Sequence, residues 1–235
     1  MNEHHFHVFL LMETTKAQFK KPRKKARFTS RFTPSVGIRT GGWGGVPGRR
    51  GELKYVDTTF QNNISDAGTL VLMNGLQPGT GASQRIGKKA VFKNYLLRAA
   101  IGVPTNTGAT PLSGYIRLMI VMDKQANATA PTVAQILEAV SAIAPMNMDN
   151  RDRFTVLHDY QCPVDQLGGR PSTVHKKFRK INVTTVYNAG TAGTVADIAT
   201  NSIYLLYIYT QIGTGAAPTV PPALDFYGRI RYDDS

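Results

Sequence analysis

Apolar positions in this chain cluster in short runs with a two-residue period, the pattern of strands that bury one face. Residues 53–60 are rich in β-branched and aromatic side chains and end at Asn62-Asn63, while residues 69–73 form a short run that stops at Asn74-Gly75. Residues 90–102 make a long strand whose alternation slips once, which predicts a β-bulge. Residues 114–123 are apolar almost throughout, broken by Arg117, and predict a strand buried on both faces. Further strands are expected at 153–160, 175–187, 202–210 (the most apolar run of the chain) and 223–232. One segment has helical spacing: Val133, Ile136, Leu137 and Val140, with Thr132 placed to cap them, predict a helix over 132–140.

Eight strands joined by connections of very uneven length do not suit a regular up-and-down barrel or a repeat array. They suit two packed sheets crossed by long loops. The expected fold is therefore all-β, a single eight-stranded jelly-roll sandwich with one short helix in a loop. Periodicity leaves the strand order open. The segments 74–83, 104–111, 163–171 and 189–200 are expected to be exposed loops.

Ahead of residue 53 the alternation disappears and charge takes over. Between Lys16 and Arg50 stand Lys16, Lys20, Lys21, Arg23, Lys24, Lys25, Arg27, Arg31, Arg39, Arg49 and Arg50, with no acidic residue among them. Residues 1–52 hold 11 basic and 3 acidic groups against 17 and 12 in residues 53–235, so most of the formal net charge of +13 sits in the first quarter of the chain. A segment this polar cannot bury enough apolar surface to offset its ordering entropy, so residues 1–52 are expected to be a disordered basic arm and residues 53–235 the folded domain. Phe28, Phe32 and Trp43 are interleaved with the cations, and a glycine tract follows. Lys and Arg neutralise phosphates and aromatic rings stack on unpaired bases, so these fourteen residues are the candidate nucleic-acid site. Lys20, Lys21, Arg23, Lys24, Lys25 and Arg27 also fit a nuclear import signal. The bland alternative is a solvated tail with no partner.

Candidate chemistry elsewhere is thin. Cys162 is the only cysteine, which leaves no disulfide framework and no cysteine-based zinc site within one chain. The apolar run 6–12 is too short to span a membrane and lacks the basic start of a signal peptide; Met12 is a second candidate start. Residues 81–89, Gly81-Ala-Ser-Gln-Arg-Ile-Gly-Lys-Lys89, miss the phosphate-loop spacing by one residue and have Lys89 where Ser or Thr would hold magnesium. His158, Asp159 and Cys162 are close in sequence, but on a strand Asp159 points away from the other two, which favours an interface histidine and a buried thiol over a triad. Asp123, Asp149 and Asp152 match no calcium-loop spacing. Lys176, Lys177, Arg179 and Lys180 alternate on one strand, so the two pairs must face opposite ways. No catalytic residue, metal ligand or cofactor is assigned.

Several segments in order resemble geminivirus-type coat proteins. They are Arg85-Ile-Gly-Lys-Lys-Ala-Val-Phe-Lys-Asn-Tyr95, Arg117-Leu-Met-Ile-Val-Met-Asp-Lys124 with the helix-bearing loop after it, and Asn150-Arg-Asp-Arg-Phe-Thr-Val-Leu-His158. After them come His175-Lys-Lys-Phe-Arg-Lys-Ile-Asn182, Asn201-Ser-Ile-Tyr-Leu-Leu-Tyr207 and Gly228-Arg-Ile-Arg-Tyr-Asp-Asp234. The family commonly carries a Cys/His cluster in its N-terminal part that this chain lacks, so no zinc site is carried over. The resemblance implies a non-enzymatic capsid protein of a small circular single-stranded DNA virus. It further implies a homo-oligomeric icosahedral shell of on the order of 60 copies and a single-stranded DNA genome bound by the arm. Contact with a host nuclear import receptor, no membrane partner, and residence in the virion and, during assembly, the host nucleus are implied as well. The alternative from another class is a cellular single-stranded nucleic-acid-binding module of β-sandwich fold that forms no shell. Assembly discriminates the two, because only a shell buries large surfaces between copies.

Overall fold

The computed structural model describes residues 53–105, 112–168, 171–213 and 217–234. Nine strands occupy them: β1 (Lys54–Asn63), β2 (Thr69–Leu72), β3 (Lys89–Gly102), β4 (Ser113–Asp123), β5 (Phe154–Asp165), β6 (Ser172–Tyr187), β7 (Ile198–Thr200), β8 (Ser202–Gln211) and β9 (Ala223–Asp233). They form one sheet in the order β1-β9-β3-β6-β7 and a second in the order β2-β8-β4-β5. Every pairing is antiparallel. The partners nest: β4 with β5, β3 with β6, β2 with β8, β1 with β9. A two-stranded ribbon nested in this way and rolled so that its strands alternate between two sheets is the jelly roll. The ninth strand, β7, has three residues and adds only to the last two residues of β6.

The core fills the space between the sheets. Phe92, Tyr95, Leu97 and Ile101 of β3 and Phe226, Ile230 and Tyr232 of β9 face Ile116, Leu118 and Ile120 of β4 and Leu205 and Tyr207 of β8. Each such side chain contributes about 1.5–3 kcal/mol by leaving water. The slipped alternation in β3 is a bulge: its register against both β6 and β9 shifts between Phe92 and Asn94. Opposite it Asn182 takes a left-handed φ of 54°, a conformation that asparagine tolerates better than most residues. Asn74, placed in an exposed loop by its sequence, is instead fully buried. Its Nδ2 donates to Thr185 Oγ1 and to the Asn201 carbonyl, both at 3.0 Å, and its Oδ1 accepts from the Ile203 amide at 2.8 Å. Asparagine ends the strand here by tying the two sheets together, so its polar atoms are buried but paired.

A second core lies on the outer face of the four-stranded sheet. Met119 and Val121 of β4 and Leu206 and Ile208 of β8 are covered by Val133, Ile136, Leu137, Ala142 and Ala144 from the β4–β5 connection. This is why β4 and β8 are apolar on both faces. The helix expected over 132–140 is a single turn, α1 (Val133–Ile136), with Thr132 and Gln135 forming a reciprocal capping box. It ends early because the returning chain takes its place. Leu137 leaves the helix to bridge Met146, and the Asn147 amide, Asn147 Nδ2 and Asn150 Nδ2 satisfy the carbonyls of Ile136, Ala134 and Gln135. Tertiary hydrogen bonds replace the ones a longer helix would have made.

Candidate functional site

The residues assigned to nucleic acid by the sequence, Lys16 through Arg50 with Phe28, Phe32 and Trp43, lie outside the described residues, as does the Lys20–Arg27 cluster. Within the described body, each remaining candidate has a definite environment.

Residues 81–89 are not a phosphate cradle. Several of their amides are already used: Gly81 donates to Gln84 Oε1, Gln84 to the Gly81 carbonyl, Arg85 to the Gln77 carbonyl and Ile86 to Asp234 Oδ2. Arg85 is buried, and its guanidinium donates to the carbonyls of Leu76, Gly87, Asn188 and Gly190 while lying 4.6 Å from the Tyr187 ring centre. Arg85 therefore staples this loop to the one after β6. Nothing in the spacing of the sequence distinguishes such a staple from a ligand-binding cation.

The strand period also separates His158, Asp159 and Cys162. Cys162 is in the core, where burial pushes its thiol up. Asp159 turns to the opposite face, where its carboxylate accepts from Arg117 at 2.9 and 2.6 Å. His158 meets His175 of β6, Nε2 to Nε2, at 2.9 Å, and burial followed by the His175 and Lys177 charges lowers it to about 4. A neutral imidazole bonded to another imidazole, a raised thiol and a carboxylate already in an ion pair have no nucleophilic chemistry to offer. Asp123 is similarly committed: it is fully buried and accepts from Arg153 at 2.9 and 2.8 Å, so a guanidinium stands where a cation would. Asp149 and Asp152 are exposed in the chain that returns to β5.

The β6 cations divide as their spacing requires. His175, Arg179 and Ile181 face inward: His175 stacks on Tyr160 at 3.7 Å, Arg179 donates to the Leu157 carbonyl, and Ile181 packs on the core. Lys176, Phe178 and Lys180 consequently face outward, on the side of the five-stranded sheet opposite the core. Strand register fixes their neighbours. Lys176 is beside Arg98, which is beside Tyr227. Phe178 is beside Leu96, then Arg229 and Asp57, and Lys180 is beside Asn94, then Arg231 and Tyr55. Arg229 donates to Asp57 twice at 2.7 Å and lies 4.4 Å from the Tyr55 ring centre; these hydrogen bonds hold the Asp57 carboxyl below its usual range. Arg98, Lys176, Lys180 and Arg231 are exposed and form no ion pair among the described residues. Three strands far apart in sequence supply this set, so linear spacing singled out Lys176 and Lys180 but gave no signal for Arg98 and Arg231 beside them.

The Geminivirus coat protein/nuclear export factor BR1 family model matches residues 14–235. The capsid protein of Cabbage leaf curl virus (isolate Jamaica) is 23% identical over 217 residues, covering 90% of this chain and 82% of that protein. The capsid protein of Tomato yellow leaf curl Sardinia virus is 21% identical over 223 residues, covering 92% and 82%. Among solved structures, a chain of Desmodium yellow mottle tymovirus matches with a TM-score of 0.33 and 16% identity, covering 82% of this chain and 94% of that one, too distant to bear on the fold.

Proposed function

This chain belongs to the geminivirus coat protein/nuclear export factor BR1 family, and from that premise we propose that it is the subunit of a closed icosahedral shell that packages single-stranded DNA through its basic arm. The coat-protein role carries no catalytic step. Residues 1–52 are the arm and residues 53–235 the shell domain. Lys16 to Arg50 neutralise phosphates by displacing counterions, while Phe28, Phe32 and Trp43 stack on unpaired bases. Lys20 to Arg27 serve a second purpose, nuclear import through a host receptor before assembly.

The observation that carries this reading is the extent of the similarity to capsid proteins, which takes in 90% of this chain and 82% of one relative. The jelly roll is compatible with it but hosts many functions, so the fold by itself assigns none. The test is the particle mass of the purified full chain, by sedimentation with and without single-stranded DNA. A discrete species of megadalton order is expected. A protein that stays a monomer or small oligomer at every salt and DNA concentration would instead be a binding module on a coat-protein fold.

A further inference from the structure

The two sheets of the sandwich treat their outer faces differently. The β2-β8-β4-β5 face is sealed by the 124–153 connection and its apolar cluster. The β1-β9-β3-β6 face carries no such cover among the described residues. It presents large side chains directly to solvent: Phe178 is 56% exposed and Tyr55 39%. Across it run three registered rows. One holds Arg98 and Lys176, the middle one Leu96 and Phe178 with the Asp57–Arg229 pair, and the third Arg231 and Lys180. The outer two rows are four residues apart along β3, or about 13 Å at strand rise. Two cationic rows therefore flank a row that exposes an aromatic ring.

We propose that this sheet face is a second nucleic-acid site, on the shell domain itself, which takes an unpaired polynucleotide across the strands. The proposal deepens the packaging reading above and rests on it. Arg98 and Lys176 on one side and Arg231 and Lys180 on the other contact phosphates, and a base between them stacks on Phe178. Charge complementarity selects a polyanion, because none of the four cations has an ion-pair partner among the described residues. The exposed ring selects a single strand, because bases in a duplex are stacked on one another and offer no free face. Asp225 and Asp233 lie beyond the rows at the two ends of the face and bound the site. Arg229, held by Asp57, keeps the middle row nearly neutral and lets Phe178 work as a stacking platform.

The experiment uses the full chain in three forms: unchanged; with the face neutralised (R98Q, K176Q, K180Q and R231Q together); and with the arm cluster neutralised (K20Q, K21Q, R23Q, K24Q, K25Q and R27Q together). Binding of a fluorescent oligo-dT of 20 nucleotides is measured against salt, with circular dichroism and thermal melting to establish that each form is folded. Neutralising the face is expected to make the plot of log affinity against log salt shallower by about 3, from four phosphates at about 0.7 each. Phe178→Ala alone should weaken binding roughly tenfold while leaving that slope unchanged, as loss of a stacked base requires. Photo-crosslinking of iodo-deoxyuridine DNA should label the peptide containing Phe178, and should still do so in the arm variant. A face variant that is folded yet binds with an unchanged slope, with crosslinks confined to residues 16–50, overturns this site and leaves the packaging reading intact. Normal DNA binding with lost assembly, or with new aggregation, also overturns it, because the face then belongs to a second copy or the lysines only guard the β6 edge. Loss in the face variant but not in the arm variant supports this site while removing the arm from the packaging reading.

Discussion

The His158–His175 contact shows how a single polar pair can set a pH limit on this fold. Two ring nitrogens 2.9 Å apart can share one proton but cannot both carry their own, and the rings lie parallel within 3°. Lys177 and Arg179 add positive charge beside His158, and only Asp159 opposes them. Burial is the largest cause of the shift, so the folded protein holds His158 neutral down to about 4, against an ordinary 6.5, and His175 is lowered for the same reason. Between those two values the unfolded chain binds more protons than the folded one. The stability that depends on the neutral pair is therefore fully present above about pH 6.5 and is lost as the pH falls toward 4. The carboxylates Asp57 and Asp234, lowered below their ordinary 3.8, titrate under that window and do not confuse it. His158→Gln should thus lose less of its urea midpoint between pH 7 and pH 5 than the unchanged chain does. Equal losses in the two proteins would show that the pair is not the acid-sensitive group.

At the scale of elements, the one-turn helix α1 has too few residues to be stable by propensity, so its existence depends on what it covers. Ile136 is fully buried between the helix and the β4–β8 face, and Ile136→Ala should cost about 2–5 kcal/mol through lost burial and a cavity. Thr132→Ala, which removes half of the capping box, should cost only about 0.5–2 kcal/mol. Denaturant unfolding of both variants checks the order: if the cap matters more than Ile136, the connection is held by its backbone and not by the second core. The same segment shows where the sequence was readable. Apolar spacing located the helix and Thr132 its start, but its end was decided by carbonyl partners arriving from Asn147 and Asn150. The slip in β3 was visible because a bulge must break the two-residue period. Strand β5 was expected to end at residue 160 yet runs through Pro163 to Asp165, since an edge strand can accommodate a residue with no amide to donate. The alternation of Lys176, Lys177, Arg179 and Lys180 was legible within β6. Their neighbours Arg98 and Arg231 were not, because register between distant strands leaves no trace in linear order.

At the scale of the whole molecule the cations are concentrated ahead of residue 53, and if the arm packages single-stranded DNA as proposed, the affinity must depend on salt in a calculable way. Eleven cations between Lys16 and Arg50, each neutralising one phosphate of a single strand, give a slope of log affinity against log salt of about −8. Neutralising the six in Lys20–Arg27 should make that slope shallower by about 4. The change should be the same for oligo-dT and for mixed sequence, because Lys and Arg side chains reading phosphates carry no base information. A specific site would behave otherwise, losing affinity for one sequence more than another at a nearly constant slope. Titrations of both oligonucleotides at four or more salt concentrations separate the cases. An unchanged slope in the variant would mean that the cluster holds no phosphates, and that other cations of the chain hold them.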